Sequence, residues 1–143
     1  MGDLSANFSK WEFACSCGCD TEFTVSRDLL RVLEAVRAEA GESLRVTSGM
    51  RCRSKNESTP GAAKNSWHIP RKGTLYASDI TYWEKSLLPH SDIKVLRLYV
   101  AADNAHAAGL GLYKGRIHVD QRPPVNHPHT RPSARWVDKG WRW

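Results

Sequence analysis

The stretch LGLYKGRIHVD, residues 110–120, decides the fold. Apolar residues alternate on both sides of Lys114-Gly115, which predicts two β-strands about a tight turn. In the second strand His118 alternates with Ile117 and Val119. Where those two face a core, His118 faces a cleft or solvent, and Asp120, two residues on, shares its side. Upstream, LYASDITYW (75–83) reads as a further strand and carries Asp79 in an apolar context. A carboxylate there needs a cation, a metal or several donors, because burying it unpaired is costly. LRVTS (44–48) is β-branched and alternating, and reads as another strand.

Two helices are expected around these strands. In SRDLLRVLEAVRAEAG (26–41), Ser26 is a good N-cap, Leu29, Leu30, Leu33, Val36 and Ala40 share one face, and Gly41 stops the helix. In SDIKVLRLYVAADNAHAAG (91–109), Pro89 precedes the cap Ser91. Ile93, Leu96, Tyr99 or Val100 and Ala107 recur on one side, and Gly109 ends it. FSKWEFAC (8–15) reads as a short turn or helical start capped by Ser9. GMRCRSKNESTPGAAKNS (49–66) is a polar loop, with His68 just beyond its end, and PRKG (70–73) is a surface turn. The proline- and tryptophan-rich tail, QRPPVNHPHTRPSARWVDKGWRW, is expected to wrap the surface. No repeat or linker divides the chain, so residues 1–143 are expected to form one α+β domain, an antiparallel sheet packed against helices.

Composition narrows the partners. The net charge of +6 and a pI near 9.4 favour polyanions: nucleic acid, anionic lipid or an anionic cell-wall polymer. The basic residues are scattered rather than massed, which argues against specific nucleic-acid recognition. No apolar run reaches the length of a membrane span. The N-terminus shows neither a basic start nor an apolar core, so no secretory signal and a cytoplasmic synthesis are expected.

Four cysteines stand at 15, 17, 19 and 52. Structural zinc modules usually pair C-x-x-C knuckles, and alternating C-x-C-x-C matches that poorly. A thiolate zinc site from all four, able to serve a nucleic-acid-binding module, and a disulfide from Cys52 are alternatives; a cytoplasmic origin argues against the second. The favoured reading is small, half-buried residues in a tight turn at Gly18.

His68, Asp79 and His118 carry the clearest chemistry. Imidazole nitrogen and carboxylate oxygen both suit zinc, and three protein ligands leave a fourth position for water. Phe8-Ser9 with Glu12-Phe13, Ser48-Gly49-Met50-Arg51, Asn56, Ser66-Trp67-His68, Ala77-Ser78-Asp79-Ile80, Gly111-Leu112-Tyr113, Ile117-His118-Val119-Asp120 and Arg135-Trp136 follow one another along the chain. In that order they resemble the M15 peptidases. These are zinc D-Ala-D-Ala carboxypeptidases and peptidoglycan endopeptidases, phage endolysins among them, whose fold is shared with the hedgehog signalling domain.

The resemblance implies that His68, Asp79 and His118 bind one zinc ion and that Arg51 faces the site. There its guanidinium would stabilise an oxyanion or clamp a substrate carboxylate. Asp120 is the candidate proton acceptor, or else the group that orients a ligand histidine. Ser66, Trp67, Tyr113, His127 and Trp136 are candidates for the substrate groove, and His129, beside His127 among prolines, is a further candidate contact; His90 and His106 read as surface or helix residues. Two departures stand out. The gap from 68 to 79 is wider than in many relatives, with PRKG reading as an insertion. Gly115 stands where some branches carry a catalytic acid, three residues before the last histidine. The expected protein is a monomeric peptidoglycan hydrolase, acting at the cell wall after release as a phage or prophage lysin does. The alternative is a zinc-containing binding or structural module on the same fold.

Overall fold

Local rules account for most of the elements. In a computed structural model, which describes residues 2–83, 92–123 and 133–141, a short 3-10 helix at Lys10–Phe13 follows Ser9, whose N–H donates to Glu12 Oε2 at 2.7 Å. Thr24–Val25 (β1) leads into Arg27–Ala40 (α1). Ser26 Oγ accepts from the Leu29 N–H at 3.3 Å to start that helix, and Gly41 closes it in the left-handed region at φ 68. Leu44–Ser48 (β2), Arg53–Ser58 (α2), Thr74–Leu75 (β3) and Ala77–Tyr82 (β4) come next. Asp92–Asn104 (α3), Gly109–Tyr113 (β5), Arg116–Asp120 (β6) and Ala134–Val137 (β7) complete the order.

Five strands form one sheet in the order β2-β4-β6-β5-β7. Every neighbouring pair is antiparallel except β5 and β7, which run parallel. β1 and β3 make a separate two-stranded parallel ribbon. Ile80, Leu110, Leu112, Ile117 and Val119 are buried in one cluster with Leu29, Leu33 and Val36 of α1 and Val95, Leu98 and Ala102 of α3. The helices pack on each other, and α3 packs on β5 and β6. The architecture is mixed α+β, with a sheet and three α-helices.

Several expectations are corrected. The loop at 49–66 contains α2, which Cys52 caps: its Sγ accepts from the Lys55 N–H at 3.4 Å, a role that serine or asparagine usually fills. The strand expected over 75–83 breaks at Tyr76, and its first part pairs with β1 instead. α3 ends well before Gly109, which opens β5. His106 takes the left-handed position at φ 63, with Ala107 N–H reaching Ala102 O at 3.1 Å and His106 N–H reaching Asp103 O at 3.0 Å, a Schellman closure without glycine. The buried stripe of α3 runs through Val95, Leu98, Ala101 and Ala102, whereas Ile93 and Val100 are exposed. Part of the tail is not a wrap but an edge strand, β7. The expected Pro89 and Ser91 start of α3 lies outside the described residues.

Candidate metal centre and groove

Strand register builds the site. Asp79 on β4 pairs directly with His118 on β6, which pairs with Gly111 on β5, which pairs with Trp136 on β7. These residues form one row across the sheet, on the face away from the α1 and α3 core. The next row pairs Ala77, Asp120 and Gly109. A Cβ at Gly109 would fall on the Asp120 carboxylate, and one at Gly111 would fall on the Trp136 indole. Both glycines are therefore space for a neighbouring side chain.

His68 arrives from the loop after α2. Its Nδ1 lies 2.7 Å from Gly49 O, an acceptor only, so Nδ1 donates there and Nε2 faces inward. His118 is oriented the other way: Nε2 lies 2.8 Å from Asp120 Oδ2, which leaves Nδ1 to face inward. His68 Nε2, His118 Nδ1 and Asp79 Oδ1 then form a triangle with edges of 3.2, 3.1 and 3.2 Å. All three residues are buried. Each of the three atoms is one that a metal ion accepts as a ligand. Ligand atoms around a tetrahedral zinc stand about 3.3 Å apart, so the triangle fits such an ion.

Electrostatics match this geometry. Burial would raise the Asp79 carboxyl, but hydrogen bonds from His118 and His68 hold it well below the usual carboxylate range. Burial would likewise lower His118, yet Asp120 and Asp79 on its two sides raise it above the ordinary histidine value. Burial opposes the Asp120 anion too, and Arg122 with His118 overcomes that and keeps it ionised. Arg122 grips Asp120 through Nε at 2.7 Å and Nη2 at 2.6 Å. Asp120 is wholly inaccessible to solvent.

The sequence pattern of the family described as Peptidase M15 matches residues 6–120. The chain belongs to the peptidase M15 family. No curated protein and no solved structure matches it. The M15 match spans the three candidate ligands and ends on Asp120; β7 with Trp136 lies beyond it. M15 peptidases are zinc-dependent metallopeptidases, and the buried His68, Asp79 and His118 group is able to bind a metal.

A groove of about 650 Å³ opens over the triangle. Ser66, Trp67, Tyr113 and Trp136 line it together with the three candidate ligands. Trp136 leans on His118 with ring centroids 5.1 Å apart, and its Nε1 donates to Tyr113 Oη at 2.9 Å. Arg51 lies in the wall. Its Nη1 donates to Asn56 Oδ1 at 3.1 Å, while its buried Nε has no partner among the described residues. Burial lowers the Arg51 pKa despite the nearby Asp79. His127 and His129 lie outside the described residues.

Sequence reasoning missed several members. Arg116 Nε reaches Asp79 Oδ2 at 3.4 Å from its place opposite Tyr113. The Arg122 guanidinium stands 5.5 Å from the Trp67 ring centroid, and that of Arg71 4.3 Å. Asn56, a motif position given no role from sequence, is buried, fixes Arg51 and also donates to Ala63 O at 2.9 Å. Asp138 is a further carboxylate in the groove wall. The signal for Arg122 was its two-residue spacing from Asp120, which on an extended chain places both on one side.

Gly109→Ala should displace the Asp120 carboxylate from His118. The expected result is a metal affinity lower by about 10–100-fold, the usual cost of disturbing a group that orients a metal ligand, read by competition with a chelator.

Proposed function

We propose that the chain hydrolyses a peptide bond in bacterial peptidoglycan, at a stem peptide or cross-bridge, with one zinc ion held by His68, Asp79 and His118. The observation that carries this reading is the buried triangle of three acceptors, open to a groove whose walls include Arg51, Lys114, Arg116 and Arg122. Such walls suit a peptide bearing carboxylates. When bound, zinc would polarise the scissile carbonyl and make water a better nucleophile at neutral pH.

The chain's own residues would do the rest. Arg51, held by Asn56 in the groove wall, would turn its guanidinium to a substrate carboxylate or to the oxyanion that forms at the attacked carbonyl. Trp67, Tyr113, Trp136 and Ser66 would hold the peptide along the groove. Asp120 would act as a positioning residue rather than the proton acceptor. It is fully buried, and both its oxygens are already taken by His118 and Arg122. The fold we assign is the hedgehog and DD-peptidase type, in one domain. The proposal includes action at the cell wall after release from a phage or prophage, which the net charge of +6 suits, since that wall is anionic.

The second reading is a zinc-holding binding module on the same fold. Gly115 three residues before His118 and the engaged state of Asp120 favour it, because neither position then supplies a proton acceptor. Digestion of purified muropeptides by zinc-loaded protein, with products read by mass spectrometry, decides between them. New products would support the hydrolase and identify the bond by mass; intact muropeptides beside a zinc-loaded, folded protein would sink it.

Acidity should strip the metal early. A proton on His118 competes with the ion, and the carboxylates flanking it raise its pKa. Zinc retention and activity should therefore fall on acidification, beginning at a higher pH than in a variant whose His118 has lost a flanking carboxylate. Zinc titration by a chromogenic chelator across pH measures this.

A further inference from the structure

We propose a second metal site, a tetrathiolate centre of Cys15, Cys17, Cys19 and Cys52 that takes a zinc ion and staples the loop carrying Arg51. It is separate from the His68, Asp79 and His118 triangle and does not depend on the reaction proposed above.

The sulfurs converge from two segments far apart in sequence. Cys15 Sγ lies 3.3 Å from Cys17 Sγ and 3.9 Å from Cys52 Sγ, and Cys17 Sγ lies 3.7 Å from Cys52 Sγ. All four sulfurs fall within 4.8 Å of one another. Four thiolates at roughly 2.3 Å from a tetrahedral zinc stand about 3.8 Å apart, close to the 3.3, 3.7 and 3.9 Å among Cys15, Cys17 and Cys52. All four are free cysteines. Two disulfides would draw the sulfurs into pairs near 2.05 Å, whereas here three mutual separations are almost equal.

Backbone geometry lets so tight a spacing work. Gly18 takes φ 77, and its N–H donates to Cys15 O at 3.2 Å. That turn brings Cys17 and Cys19 to the same side as Cys15, in place of the usual C-x-x-C knuckle. Cys52 comes from the first turn of α2, where the Lys55 N–H donates to its Sγ at 3.4 Å, a bond that supports a thiolate. Cys15 is buried while Cys17 and Cys19 are exposed, so an ion can reach the cluster from solvent. The turn expected at Gly18 is present; the proposal adds a ligand role for the cysteines around it.

The staple has a mechanical target. Met50 N–H donates to Phe13 O at 2.7 Å, and Arg51 N–H donates to His68 O at 2.9 Å. Gly49 O holds His68 Nδ1. Residues 49–52 therefore run from the bond that orients His68, through Arg51, to Cys52, and a metal joining Cys52 to Cys15, Cys17 and Cys19 fastens that run to the chain's N-terminal segment.

The test uses the full chain purified under reducing conditions with zinc. Elemental analysis should find two zinc equivalents, with one left in Cys17→Ser/Cys19→Ser and one left in His68→Ala/His118→Ala. Because the cysteine variant could misfold, the deciding measurement is on unmutated protein loaded with cobalt(II). A sulfur-to-cobalt charge-transfer absorption that persists in the His68→Ala/His118→Ala protein supports the site. A cobalt spectrum without that absorption, in protein whose four thiols titrate as free, overturns it. So does a single zinc equivalent that the histidine variant loses entirely. Loss of hydrolysis with the sulfur absorption intact would count against the proposed activity and leave the staple standing.

Discussion

Replacing His118 by alanine should remove one equivalent of metal and reduce peptide hydrolysis to background, the largest loss expected of any single change. The imidazole does three things at once. Its Nδ1 supplies one of the three converging acceptors, 3.1 Å from Asp79 Oδ1. Its Nε2 lies 2.8 Å from Asp120. Its ring supports Trp136 in the groove wall. If three protein ligands hold an ion with roughly 10–16 kcal/mol, one of them carries about 4 kcal/mol, and its loss is roughly a thousandfold in affinity. The variant also leaves Asp79 and Asp120, both buried, without the imidazole that lies between them. Metal content by elemental analysis and melting by circular dichroism should be read together. A folded His118→Ala protein that keeps its full metal content and its activity would remove His118 from the site.

The physics of each element explains what was legible beforehand. The β5-β6 hairpin stood out because period-two alternation and Lys114-Gly115 agree. α1 stood out because Ser26, a one-sided apolar stripe and Gly41 agree. α2 did not, since a cysteine caps it within a run of polar residues. The end of α3 was displaced because a histidine occupies the left-handed position that glycine usually takes. Within the site, the M15 resemblance singled out His68, Asp79 and His118, and alternation placed His118 opposite Ile117 and Val119. The direct pairing of Asp79 with His118 was not legible, because strand order is a tertiary choice that no local pattern encodes. The same holds for the four sulfurs: alternating cysteines look wrong for zinc until the Gly18 turn and the distant Cys52 bring them together.

Asp120→Asn should weaken metal binding by about 10–100-fold, and excess zinc should restore most of the turnover. The hydrogen bonds of Asp120 dictate this. Oδ2 accepts from His118 Nε2 and Arg122 Nη2, and Oδ1 accepts from Arg122 Nε at 2.7 Å and from the Arg122 N–H at 3.3 Å. An asparagine has one acceptor and one donating amide. With its oxygen toward His118, the amide opposes two donors of Arg122; with the amide toward His118, the imidazole must carry its proton on Nδ1, the atom that faces the metal. Either arrangement costs binding, and the first also removes the charge that balances Arg122 in a buried place. Breaking a buried ion pair by deleting one partner costs about 3–5 kcal/mol, so the melting temperature should fall as well. A proton acceptor would behave differently: its amide variant would keep wild-type zinc affinity and lose kcat at every zinc concentration. Measuring zinc affinity and kcat against free zinc in the same variant separates the two roles. Unchanged affinity with abolished kcat would return Asp120 to the acceptor role.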